Sequence, residues 1–269
     1  MKLISSIILA GLFASSSAIA QVNEMPKEFE DIDIVDKLGS KIPMDLAFVD
    51  ENGKEVTLAN YFNKGKPVIL NMAYYECPML CTFVLNSVSE AITKIPNWTA
   101  GKQYQVLTVS INPKETPALA KPKQKAYLDS IKSTDEAAWT FLTDPHNNSQ
   151  KLADAVGFKY FYDKKIGEYA HPAVTFILTE DGTLSRDLFG LNYEAKDLKL
   201  ALLEASKGKI GNTIEKILLF CYHYDPNARG YVLFAQNLMK IGGAFTVLLL
   251  GMFLGFFWKM DRDRMKKAA

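Results

Sequence analysis

Leu46–Phe62 (LAFVDENGKEVTLANYF) alternates apolar and polar positions on both sides of Asn52-Gly53, a common turn pair, and predicts a β-hairpin. Val68–Tyr74 (VILNMAY) is a short apolar run broken only by Asn71, and it reads as a buried strand. A helix is expected from Pro78 to about Ile95: proline is tolerated at the first helical position, and Pro96 supplies a stop. Tyr104–Ile111 reads as the next strand, followed by a turn over 112–117 and a helix to about Ser133. Ala138–Leu142 is a third strand and Asn148–Val156 a helix. Ala173–Leu178 and Leu184–Phe189 flank the turn Glu180-Asp181-Gly182 as a second hairpin, and Tyr193–Lys207 is the last helix of the compact body. The order is hairpin, β, α, β, α, β, α, β, β, α. Alternating parallel units closed by an antiparallel hairpin predict an α/β sheet covered on both faces.

The two ends break this pattern. Residues 1–20 (MKLISSIILAGLFASSSAIA) carry one charge, an apolar run of about a dozen residues and small residues before Gln21, as a cleavable signal peptide does. The other reading is an uncleaved anchor. Ile241–Trp258 is uncharged throughout and as a helix spans about 27 Å, close to the ~30 Å hydrocarbon core of a bilayer. The basic tail 259–269 follows it, net +3, which orients a membrane span with the C-terminus in the cytoplasm. A buried core helix is the alternative. The expected organisation is a signal peptide at 1–20, an exported domain at 35–207, a juxtamembrane segment at 208–240, a transmembrane helix at 241–258 and a cytoplasmic tail at 259–269. The main domain then lies in the periplasm of a bacterial cell, tethered to the inner membrane.

Charge excludes one class of partner. The chain has 31 basic and 30 acidic residues, and 21–240 is net −3; this near-zero balance argues against a nucleic-acid binder held by phosphate contacts. Three cysteines, Cys77, Cys81 and Cys221, are too few for a disulfide scaffold. Two close and one distant suggest a redox or metal site in an oxidising compartment.

The chemistry centres on Tyr75-Glu76-Cys77-Pro78-Met79-Leu80-Cys81, at a strand-to-helix junction. Cys81 follows Cys77 by about one helical turn, so both sulfurs can point the same way, and a helix N-terminus favours thiolate at Cys77. Such a pair can close a disulfide or clamp a soft metal such as Cu(I); an added imidazole suits copper in either oxidation state. A thioredoxin-like fold puts its redox pair at this junction and brings the loop before Ala173–Leu178 beside it, where a cis-proline is usual. His171-Pro172 occupies that loop. His171 is therefore the expected third ligand, against the alternatives of a metal-free loop histidine and a structural disulfide. His146, in a helix-entry loop, is expected to be structural. Cys221 and His223 admit an auxiliary copper site, with a buried thiol and an interfacial histidine as the plainer reading.

The stretch ILNMAYYECPMLC, with His171 90 residues after Cys81 in YAHPAVTFILTEDG, resembles the Sco/SenC family over roughly residues 35–207. These are membrane-anchored copper proteins with a thioredoxin-like domain, implicated in assembling the dinuclear copper centre of cytochrome c oxidase. The resemblance implies copper ligands at Cys77, Cys81 and His171, and a copper metallochaperone serving the copper-bearing oxidase subunit. Other periplasmic copper chaperones or thiol reductants are further partners in this reading. VSINPKETP departs from the family at Asn112, where Asp is usual; His171-Pro172 and the C-terminal anchor are further departures. The alternative is an enzyme, a thiol–disulfide oxidoreductase that reduces the acceptor's cysteines through the Cys77–Cys81 redox pair. A membrane scaffold with structural cysteines is a third reading.

Overall fold

The computed structural model describes residues 34–77, 80–165, 167–207, 222–225, 230–233 and 235–268. The first hairpin pairs β1 (Ala47–Val49) with β2 (Glu55–Thr57). Its turn is closed by the Asp50 carboxylate, which accepts from the backbone N–H groups of Asn52 and Lys54 at 2.9 and 2.8 Å. Gly53 sits at φ +82°, a conformation that favours glycine. The central sheet follows as β3 (Val68–Ala73), β4 (Gln105–Ser110), β5 (Trp139–Leu142), β8 (Val174–Leu178) and β9 (Leu184–Phe189), in the order β5-β4-β3-β8-β9. β3, β4 and β5 run parallel; β8 lies antiparallel to β3, and β9 antiparallel to β8.

Every residue of β3, β4, β5 and β8 is buried. Successive strand side chains point to opposite faces, so the sheet is covered on both. α1 (Leu80–Lys94) and α4 (Ala195–Ala205) pack against each other and against β8, while α2 (Pro117–Ser130) packs along β5. α3 (Ser149–Val156) stops at Gly157, φ +76°, where a Cβ would run into the Val35 carbonyl. That close approach holds the N-terminal segment: the Val35 N–H donates to the Gly157 carbonyl at 2.8 Å.

The expected order of elements is therefore present, with most ends within three residues of those expected. Two features were not anticipated. A small hairpin, β6 (Phe161–Asp163) with β7 (Glu168–Ala170), fills the connection between α3 and β8. A further hairpin, β10 (Tyr222–Asp225) with β11 (Gly230–Leu233), lies within the segment expected to be juxtamembrane and docks on α4. Tyr231 is buried there; its hydroxyl donates to Glu204 at 2.6 Å, and Glu204 is held by Arg186.

The last helix, α5, runs Ala235–Ala268. Among the described residues, no helix is long and apolar enough to cross a membrane. The described side chains of the 241–258 run are those of 242–258, and the span expected there is not shown. The signal peptide at 1–20, Pro78, Met79 and Cys221 lie outside the described residues, as does the His223 side chain.

Candidate metal centre

β3 delivers the chain to one end of the sheet at Ala73, and the loop Tyr74–Cys77 leads into α1. A buried carboxylate fixes this loop. Glu115 Oε1 accepts from the backbone N–H groups of Tyr75 and Glu76 at 2.6 and 2.9 Å, and Oε2 from the Ser110 hydroxyl at 2.6 Å. Burial pushes the Glu115 carboxyl above its ordinary range, and these three donors pull it back. The Tyr75 hydroxyl ties the loop from the other side by donating to the Leu142 carbonyl at 2.5 Å. Cys77 and Cys81 thus sit on a backbone pinned to β4 and β5.

β8 runs antiparallel beside β3, so the residues just before it arrive at the same end of the sheet. His171 is brought there from 90 positions away, with Nε2 2.9 Å from Cys81 Sγ. One ligand atom each from Cys77, Cys81 and His171 lies within 4.8 Å of the other two, and all three residues are buried. The Cys81 N–H lies 3.3 Å from Cys77 Sγ, and the Tyr74 N–H 3.5 Å from Cys81 Sγ. Cys77 and Cys81 are not joined by a disulfide. Pro172 fills the loop slot with a trans peptide bond rather than the cis bond usual in the thioredoxin pattern, since no cis bond occurs among the described residues.

The histidine tautomer follows from its contacts. His171 Nδ1 lies 3.0 Å from the Pro172 carbonyl oxygen, which can only accept, so Nδ1 carries the hydrogen. In the neutral ring Nε2 then has a lone pair, directed at Cys81. Contact with Cys77, and then burial, push the Cys81 thiol well above its usual range. With Nδ1 as donor, Nε2 can accept from the Cys81 S–H. A soft cation replacing that proton meets two sulfurs and an oriented imidazole, a donor set that suits copper.

An aromatic shell surrounds the group. Tyr74 stands edge-on to His171 with ring centres 6.3 Å apart, and Phe158 packs tilted against the same ring at 5.9 Å. Tyr169 of β7 covers Tyr74 at 5.6 Å, and the Tyr74 hydroxyl reaches Glu168 at 3.5 Å. The small hairpin therefore walls the site, and the sequence reading missed it. It also missed Glu115: attention fell on Asn112, which lines an outer cleft of about 530 Å³ with Tyr74, Glu76 and Glu168. The local signal for Glu115 is a carboxylate just before the helix entry Thr116-Pro117; no local pattern reveals that it folds back onto Tyr75 and Glu76. His146 lies elsewhere, half exposed and 3.5 Å from Glu55.

The SCO1/SenC family model matches residues 36–201. No curated protein matches the chain. Among solved structures, a protein from Aquifex aeolicus VF5 provisionally assigned to electron transfer is 29% identical, with a TM-score of 0.55 over 62% of this chain and 94% of its own. Arabidopsis thaliana ScoI, solved with copper bound, is 19% identical, with a TM-score of 0.50 over 63% of this chain and 98% of its own. BsSco, a member of the Sco family of cytochrome c oxidase assembly proteins in which a disulfide switch is identified, is 17% identical at a TM-score of 0.50, over 64% and 97%. These last two likenesses concern the fold alone.

Proposed function

The chain belongs to the SCO1/SenC family, and from that premise we propose that it is a membrane-anchored copper metallochaperone. Its cargo is delivered to the dinuclear copper centre of cytochrome c oxidase during assembly, and its acceptor is the copper-bearing oxidase subunit. The observation that carries this reading is the convergence of Cys77, Cys81 and His171 within 4.8 Å. The two thiolates hold Cu(I) at low coordination; His171 Nε2 completes a site for Cu(II). Binding releases the thiol protons, because the metal takes sulfur as thiolate. Transfer proceeds through mixed coordination, the acceptor's Cys and His residues replacing these three in turn.

Copper titration of the reduced full chain, with metal analysis and thiol counting, tests this. About one copper per chain is expected, with both thiols of the pair protected. A fully reduced, folded chain that takes up no copper would overturn it.

A second reading is thiol–disulfide exchange with the acceptor's cysteines. The proximity of Cys77 and Cys81 supports it: their dithiol would pass two electrons and two protons to an acceptor disulfide and itself become the disulfide. His171 distinguishes the two. Exchange needs sulfur geometry alone, so His171→Ala should spare oxidase assembly if reduction is the task and stop it if delivery is.

The anchor reading rests on the uncharged run 241–258 and the basic tail after it. The large apolar side chains described in α5, from Met239 to Trp258, are 45–74% exposed, as a helix without a protein partner would leave them. In this arrangement 1–20 is a signal peptide, 35–207 a periplasmic domain and 259–269 a cytoplasmic tail. Reporter fusions after residue 235 and at the C-terminus should then report opposite sides of the membrane. Both on one side would exclude the span.

A further inference from the structure

α1 ends at Lys94 beside Pro96, and α4 begins at Ala195. Between them lies a groove of about 410 Å³ floored by Leu200, Leu203 and Tyr222. Lys94, Lys196 and Lys199 line its edges. Lys196 Nζ stands 4.0 Å from the centre of the Tyr222 ring and 3.5 Å from the Tyr231 carbonyl oxygen. Lys199 Nζ donates to the Pro96 carbonyl at 3.1 Å and lies 5.4 Å from the Trp98 ring centre. Lys94 pairs with Glu90 at the surface, at 2.5 Å. Three ammonium groups around an apolar floor run against the net −3 of residues 21–240. An apolar floor with a cationic rim complements an amphiphile with an anionic head.

Chain connectivity says where such an amphiphile is found. Tyr222 pairs across the hairpin with Leu233, and α5 begins two residues later. The hairpin is fastened to α4 by Tyr231, whose N–H donates to Asp197 at 3.3 Å and whose hydroxyl donates to Glu204 at 2.6 Å. Across the ladder, the short chain link and the first turns of α5, the groove wall lies within about 21 Å of Ile241. The same bilayer surface that receives α5 is therefore within reach of the three lysines.

We propose that this groove seats anionic phospholipid of the bilayer that holds α5, so that the domain stands on the membrane by the C-terminal end of α1. The inference rests on the anchor reading above. It gives the metal centre a position: Cys81 lies near the other end of α1, about 20 Å along the helix axis from Lys94.

The test uses the full chain in nanodiscs of phosphatidylcholine alone, or with a third of the lipid as phosphatidylglycerol. Amine acylation is read residue by residue by mass spectrometry. Lys94, Lys196 and Lys199 should react at least about threefold more slowly in the anionic discs, and about 1 M salt should erase the difference. Lys41 and Lys54, on the N-terminal hairpin side, should react alike in both. A chain that co-elutes with the discs but acylates the three lysines equally in both lipids overturns the seat. A chain that does not co-elute with the discs overturns the anchor reading, and the seat with it.

Discussion

At its N-terminal end, α1 presents Cys81, 2% exposed, to a space closed by Tyr74, Phe158 and His171. At its C-terminal end it presents Lys94, with Lys196 and Lys199 of the neighbouring helix, to an open groove. One helix thus carries soft, polarizable ligands inside the fold and hard charges at the surface. The difference is one of dielectric. A buried sulfur loses hydration and keeps its proton until a metal or partner takes its place, whereas an ammonium group keeps its charge only where water or an anion can reach it. A cargo site gains from the first environment, because aromatic walls exclude competing ligands; a surface contact requires the second.

The comparison is broken most severely at the buried end. Cys81→Ser removes a soft donor that both other ligands face, and copper uptake should fall from about one per chain to none under thiol-free competition conditions. Isothermal titration against a Cu(I) chelator checks this; retained uptake would move the site elsewhere. His171→Ala comes next. Cu(II) affinity and the sulfur-to-copper absorption should be lost, while Cu(I) weakens less and a reversible Cys77–Cys81 disulfide still forms. Unchanged Cu(II) spectra in a folded variant would remove His171 from the site.

Glu115 sharpens the comparison, because it touches no ligand atom and acts through the loop. Glu115→Ala leaves the Tyr75 and Glu76 N–H groups without their acceptor. It should lower copper affinity by about 10–100-fold and stability by about 2 kcal/mol. Glu115→Gln keeps one acceptor oxygen and should recover most of the affinity; failure of that rescue would reduce Glu115 to a packing residue. Chemical denaturation and copper competition on the two variants separate these outcomes. The smallest effects are expected outside the cluster. Cys221→Ser with His223→Ala should leave copper stoichiometry at about one, and His146→Ala should change stability by less than about 0.5 kcal/mol, because its Glu55 contact is solvent-screened. Loss of copper in the Cys221/His223 variant would mean a ligand has been misplaced.

Much of this molecule is written locally. The apolar run Val68–Ala73, the stop at Pro96, the helix entry at Thr116-Pro117 and the turn at Asn52-Gly53 each declare an element within a few residues. Backbone periodicity and turn chemistry act over that range. The spacing of Cys77 and Cys81 also places both sulfurs on one arc without reference to the rest of the fold. The three-residue strands of β6 and β7 were not legible, because FYD and EYA are too short to show a period and are held by Tyr169 packed on Tyr74 and Tyr162 packed on Tyr169. Nor was the docking of β10–β11, which depends on one buried tyrosine reaching Glu204.

The sequence by itself determined the order of the central strands and their helices, the closeness of two cysteines at a helix start, and a histidine ahead of a late strand. Tertiary structure alone decided that β8 lies beside β3 and so sets His171 Nε2 2.9 Å from Cys81 Sγ. It also decided that Glu115, and not Asn112, braces the cysteine loop. The physical reason is range. Local dihedral preference and periodicity are fixed by neighbours in the chain, whereas strand order and long-range hydrogen bonds are fixed by the burial of the whole core, to which every residue contributes and which no short segment encodes.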